Sequence, residues 1–274
     1  GEPEPAGEPE PAGEPEPAGE PEPAEEPEPA AEPEQLEVEF DALASEELDA
    51  PPHNFEELLE PELLDAVEYL LATGEPFVLG GAAGAGKTFI ARCAHHLEGR
   101  GDAELALFDA AAHPANLHLA LLFGEGPNAG DETALIDAHN DGALLIRSAQ
   151  ALSDAVLLRL CQAAELEDIR LYLAFDDPEA EVRTVLSQYT QELQELLEHR
   201  ELIVPRLAHR PQILEAILEH LAAEQGGAVL SDEALETLLN YDFPGDISEA
   251  RSVIAAAAAS ADAETIEADD LPER

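Results

Sequence analysis

Eight residues carry the clearest chemistry in the chain. Gly81-Ala82-Ala83-Gly84-Ala85-Gly86-Lys87-Thr88 fits the spacing G-x-x-x-x-G-K-[ST] without a mismatch. Glycines at this spacing let backbone N–H groups turn inward around phosphate oxygens, and the lysine and hydroxyl add a cation and a metal-facing oxygen. On this reading Gly81, Gly84, Ala85, Gly86, Lys87 and Thr88 cradle ATP or ADP. Lys87 meets the β- and γ-phosphates, and the Thr88 hydroxyl holds Mg²⁺. The bland alternative is a Gly/Ala-rich turn in an Ala-rich chain. Against it, Lys87 is the only lysine present. A composition nearly stripped of that side chain keeps it where a phosphate needs it.

Such a loop works only between a strand and a helix. The apolar run Phe77-Val78-Leu79 precedes it, and the helical pattern Phe89, Ile90, Cys93, Ala94 follows. The free N–H groups and positive dipole end of that helix add to the anion site. Upstream, helical periodicity begins near Phe55, runs through Leu58, Leu59, Leu63, Leu64, Val67 and Leu71, and stops at Gly74. Downstream, strands are expected at 105–109, 143–146, 170–175 and 202–204. Helices are expected at 116–122, 153–164 and 179–199, with a Gly/Pro/Asn-rich loop at 124–131. From residue 212 the text is helical, at 212–225, 231–240 and 246–261. Strands alternating with helices behind the loop predict an α/β fold with a parallel, doubly wound sheet, followed by a helical domain.

Composition excludes some partners. Asp and Glu number 62 against 12 Lys and Arg, a formal net charge of -50 over 274 residues. DNA and anionic membranes are bound through basic patches, which this balance opposes. Residues 1–34 repeat Gly-Glu-Pro-Glu-Pro-Ala and contain 13 Glu but no basic residue, so the rest of the chain is strongly acidic too. Proline at every second or third place forbids helix. The repeat is expected to be disordered and extended by about 3 Å per residue. Residues 35–52 read as an acidic linker, with Leu36, Val38 and Phe40 alternating as a short strand. Two explanations fit the acidity of the remainder. One is the surface of a protein from a salt-loving host, where salt screens self-repulsion, and the other is a surface shaped for a basic partner. Lysine depletion favours the first.

Cys93 and Cys161 sit in apolar helical patterns without metal-ligand spacing, as buried thiols of a reducing cytoplasm would. No Cys/His cluster has zinc-site spacing, so no structural metal is expected. No apolar run reaches eighteen residues, so no membrane span is expected. Methionine is absent even at position 1, which suggests a processed or partial chain with flanking domains elsewhere.

Four segments behind the loop resemble one family. Residues 109–124, Asp-Ala-Ala-Ala-His-Pro-Ala-Asn-Leu-His-Leu-Ala-Leu-Leu-Phe-Gly, are similar to the N-C-A-A-L-P-E-N-L-L-E-S-E-L-F-G stretch of the AAA+ activators of sigma-54 RNA polymerase. Pro205-Arg-Leu-Ala-His-Arg210 resembles their P-P-L-R-E-R. Phe243-Pro244-Gly245-Asp246-Ile247 resembles W-P-G-N-V, and residues 266–272, Ile-Glu-Ala-Asp-Asp-Leu-Pro, resemble I-x-x-x-D-L-P. Each match is weak alone; four in family order over about residues 53–272 are specific. The resemblance implies an AAA+ P-loop NTPase with an αβα core over 53–210 and a helical lid over 211–274. It also implies ATP with Mg²⁺ and an oligomeric ring, homomeric or mixed, working with a protein partner.

The departures matter as much. Where the family has G-T-L-F-L-D-E, this chain has Gly142-Ala-Leu-Leu-Ile-Arg147-Ser148. A guanidinium replaces the carboxylate that helps place Mg²⁺. A hydroxyl replaces the carboxylate that activates water, and serine cannot take a proton from water near neutral pH. Arg147 could contact phosphate directly or pair with a local acid. The first sensor position becomes Phe175-Asp176, and the lid's sensor arginine becomes Ser248, with Arg251 one turn later. Arg200 is the candidate for the arginine finger. The sigma-contacting G-A-F-T-G-A is replaced by Glu125-Gly-Pro-Asn-Ala-Gly130, and no helix-turn-helix follows residue 272. The expected protein is therefore a nucleotide-gated regulatory or assembly module that binds ATP and hydrolyses it weakly or not at all. The alternative is an active ATP-driven transcription regulator with rebuilt catalytic groups.

Overall fold

Why the strands are apolar on both faces is explained by the sheet they build. Five run parallel: β2 (Phe77–Gly81), β3 (Leu105–Asp109), β4 (Ala143–Arg147), β5 (Arg170–Asp176) and β6 (Glu201–Ile203). Their order is β3-β4-β5-β2-β6, and a two-residue strand, β1 (Glu46–Glu47), joins the β3 edge antiparallel. The computed structural model describes residues 46–74, 76–99, 104–126, 129, 134–139, 142–166, 169–176, 186–261 and 264–272. The repeat at 1–34, the strand expected at 36–40 and the first part of the helix expected at 179–199 lie outside these residues.

Helices cover both faces, as parallel sheets require. Phe77, Leu79, Leu107, Leu145 and Tyr172 pack on one side against α1 (Pro61–Leu71) and α2 (Lys87–Leu97). The alternate residues Val78, Phe108, Ile146, Leu173 and Phe175 pack on the other, against α3 (His118–Phe123), α4 (Leu135–Ala138), α5 (Asp154–Leu166) and α6 (Gln191–Leu197). The two faces follow from the period of two along each strand. This is an α/β P-loop fold, as the alternation of elements implied.

Three helices, α7 (Pro211–Ala223), α8 (Asp232–Leu239) and α9 (Asp246–Ser260), surround a separate apolar cluster containing Leu218, Phe243 and Ile254. A small parallel pair, β7 (Val229–Leu230) with β8 (Thr265–Ile266), ties its ends together. Two ion pairs sit at the junction of core and lid. Arg210, 2% exposed, donates from Nε and Nη2 to the Glu60 carboxylate at 2.8 and 2.7 Å. Asp246, wholly buried, accepts from the Leu207 N–H at 2.6 Å and from Arg206 Nε at 3.1 Å.

Some elements differ from the sequence expectation. The helix expected from Phe55 is broken into a 3₁₀ turn, Phe55–Leu58, and α1. Glu60 between them is extended at φ -65°, ψ 142°, because the ring of Pro61 disfavours a helical residue before it. Within 179–199 the described helical residues are Leu186 and α6, separated by a turn at 187–188 and a bend at 189. The strands β1, β7 and β8 are two residues each, too short to leave a period in the sequence.

Candidate functional site

The carboxyl ends of the central strands converge, as ligand sites in open α/β sheets do. Register sets the neighbours: Gly81 lies opposite Asp176, and Asp109 opposite Arg147. Beyond them opens a cavity of about 360 Å³, lined on the core side by Gly84, Gly86, Lys87, Thr88, Arg147, Ser148 and Asp176. The lid closes it with Ile217, His220, Glu224, Ser248 and Arg251. Of the expected cradle, Gly81 and Ala85 sit behind this surface rather than on it.

The loop is held in a shape only glycine tolerates at Gly84. Its φ is +86°, and a Cβ there would lie 2.6 Å from the Gly245 carbonyl oxygen and 3.1 Å from Ser248 Oγ. The lid therefore rests directly on the loop. Lys87 is 6% exposed, and its ammonium makes three contacts: the Gly81 oxygen at 2.9 Å, the Ala82 oxygen at 2.7 Å and Asp176 Oδ1 at 2.7 Å. All three N–H donors of a lysine are thereby used.

The end of β4 carries no carboxylate. Arg147 points to Asp109, Nη2 to Oδ2 2.6 Å, so the local acid partner is the observed one. Ser148 adopts φ 52°, ψ 42°, left-handed backbone that is uncommon outside glycine. That turn aims its hydroxyl at Asp176, Oγ donating to Oδ2 at 3.3 Å. Asp176 is fixed at its main chain, where the N–H donates to Gln150 Oε1 at 3.2 Å. Sequence reasoning placed Asp176 as a degraded sensor position and as the carboxylate to stand in for the missing base if the protein proved an active ATPase. Its pairing with Lys87 is a product of strand order, since β5 rather than β4 adjoins β2.

On the lid, Ser248 lines the cavity beside Gly84. Arg251 lines the cavity and is paired with Glu224, which also lies 3.4 Å from His220 Nε2. Arg200 stands away from the cavity at the start of β6. Its carbonyl accepts from Val78 N–H, its Nη1 is shielded from solvent, and its charge acts on Cys161 in the core. The thiols take no part: burial pushes Cys93 and Cys161 up to about 12, so neither forms a thiolate near neutral pH.

A hard divalent cation wants oxygen ligands, and Mg²⁺ commonly takes one or two protein groups beside phosphate oxygens and water. The Thr88 hydroxyl and the Asp176 carboxylate both line the cavity, and this oxygen set fits such an ion carried in by a nucleotide. Among the described residues no cluster of three His, Cys, Asp or Glu could hold a metal alone.

Comparison with known proteins decides the family. The profile described as the sigma-54 interaction domain matches residues 57–206, and that of the AAA+ ATPase lid domain matches 206–274. The chain belongs to the sigma-54 interaction domain family.

Among its relatives is the response regulator protein PilR of Pseudomonas aeruginosa, 26% identical over 232 residues, covering 76% of this chain and 52% of PilR. The DNA-binding transcriptional activator HyfR of Escherichia coli is 28% identical over 222 residues, 70% of this chain and 32% of HyfR. The Nif-specific regulatory protein of Rhizobium etli is 24% identical over 233 residues, 77% of this chain and 40% of that protein. The chain thus spans about half the length of these relatives or less. Crystallised NtrX from Brucella abortus in complex with ATP superposes with a TM-score of 0.65 at 18% identity, covering 82% of this chain and 54% of that one. At that identity the likeness is one of fold. Among the described residues, no helix is long and apolar enough to cross a membrane.

Proposed function

We propose that this chain is the ATP-binding unit of a transcription regulator, with its core at 53–210 and its lid at 211–274, in which hydrolysis is weak or absent. Nucleotide binding then acts as a gate on assembly or on a protein partner, within a homomeric or mixed AAA+ ring in the cytoplasm. One observation carries this reading: an intact phosphate loop with a buried Lys87 faces a β4 end that offers Arg147 and Ser148. Binding energy comes from the loop, whereas turnover needs water activation and charge stabilisation by further groups. The regulator role is drawn from what PilR and HyfR are named to be, and the nucleotide from the NtrX complexes with ATP and ADP.

A second reading is an active ATPase with rebuilt groups, and the Asp176 carboxylate in the cavity favours it. Calorimetric ATP binding and phosphate release, measured on one sample at low and at multimolar salt, separate the two. Binding without turnover supports the gate. Turnover in the ordinary enzyme range replaces it with the second reading, and absence of binding removes both.

A further inference from the structure

We propose that Asp176 has taken over from the missing β4 carboxylate as the group that faces the nucleotide's divalent cation, and that it also acts as the counter-ion of Lys87 before nucleotide binds. The inference rests on the nucleotide reading above and adds to it the identity of the acidic group.

The geometry is specific. The ammonium of Lys87 is saturated by two loop carbonyls and Asp176 Oδ1. A phosphate oxygen can reach Lys87 only by displacing one of the three. The Gly81 and Ala82 carbonyls belong to the loop backbone. Asp176 is held by side-chain contacts alone on its carboxylate, and that side chain is 31% exposed toward the cavity. It is the partner that yields.

Once displaced, the carboxylate stays in place at the end of β5, because the strand pairing with Gly81 and the bond from its N–H to Gln150 hold the backbone. It then faces incoming phosphate as a like charge, near a Ser148 hydroxyl that can only donate a single hydrogen bond. Arg147 does not relieve this, being engaged with Asp109. Asp176, with the Thr88 hydroxyl, would hold a divalent cation carried in with the nucleotide, whose charge would offset that repulsion. Asp176 therefore makes nucleotide affinity depend on the metal.

The test is calorimetric titration of the full chain with ATP at fixed salt, in MgCl₂ and in EDTA, for the parent, Asp176→Asn and Asp176→Glu. The parent is expected to bind about tenfold or more tightly with Mg²⁺, the scale of one charge interaction in a partly screened site. Asp176→Asn should bind metal-free ATP more tightly than the parent and lose most of the gain from Mg²⁺. Asp176→Glu, which keeps the charge on a longer arm, should retain part of that gain. Matching thermal midpoints establish that the variants are folded. An Asn variant whose ratio of affinities equals the parent's overturns the assignment while leaving the nucleotide site standing. Equal loss of the gain in Asn and Glu variants also overturns it. A folded parent that binds no ATP in either buffer removes the nucleotide reading itself.

Discussion

The Lys87 ammonium stands 2.7 Å from the Asp176 carboxylate, so the phosphate loop is tied to β5, its neighbour in the sheet. β4, whose aligned position carries the metal-placing acid in the resembled family, is instead tied to β3 through Arg147 and Asp109.

Removing the ammonium tests the loop directly. Lys87→Ala is expected to weaken ATP binding by about 1.5–3 kcal/mol, the range for hydrogen bonds to charged groups. Calorimetry on parent and variant measures it, and unchanged affinity would show that the cavity is not a phosphate site.

Restoring family acids should not restore an enzyme. The pair Arg147→Asp with Ser148→Glu places a carboxylate opposite Asp109 in register, and like charges facing across strands destabilise. Turnover is expected to stay below about 1 s⁻¹, because groups that act as a unit are strongly non-additive. A double variant reaching ordinary enzyme rates would mean that β4 alone was the deficiency.

Lid contact at Gly84 predicts a stability difference. Gly84→Ala combines left-handed strain with a clash on the Gly245 oxygen, whereas Gly99→Ala carries φ +75° with open space around it. The Gly84 variant should lose about 1–3 kcal/mol, more than Gly99→Ala, and should bind ATP less well. Urea unfolding of both variants measures the difference; equal losses would show that the lid does not bear on the loop.

The Glu60–Arg210 pair predicts a pH dependence. Burial raises the Glu60 carboxyl, but the hydrogen bonds and charge of Arg210 outweigh it, so Glu60 titrates below its ordinary 4.5. The unfolded chain then binds more protons in that window, and the stability this pair contributes is present above about pH 4.5 and lost as pH falls through the lower, folded value. Glu60→Ala leaves a buried guanidinium unpaired, at a cost of about 3–5 kcal/mol near neutrality. Denaturant unfolding at pH 7 and pH 4 should show the parent–variant gap shrinking with acid. A gap that is constant with pH would remove the pair from the linkage.

Salt tests the acidity. Residues 1–34 hold 13 of the 62 acids, leaving 49 against 12 bases, and screening that net charge of -37 should raise the thermal midpoint between low and molar KCl. A midpoint flat across that range would instead favour a surface shaped for a basic partner.

The sequence by itself determined what depends on neighbours along the chain. The loop from Gly81 to Thr88 is a local spacing, and the alternation of strands and helices is a local period, so the P-loop architecture could be read before any coordinates. The residues Arg147 and Ser148 at the end of the 143–147 run were equally legible, and reading them as replaced acids rests on the family resemblance alone. What the tertiary structure decided were relations between residues far apart in sequence. Asp176 meets Lys87 because β5 adjoins β2. Glu60 meets Arg210 because the chain entering α7 folds back on the start of α1. Gly84 requires glycine because Gly245 lies against it. No period or motif encodes these contacts, since strand order and lid position are set by the packing of the whole core.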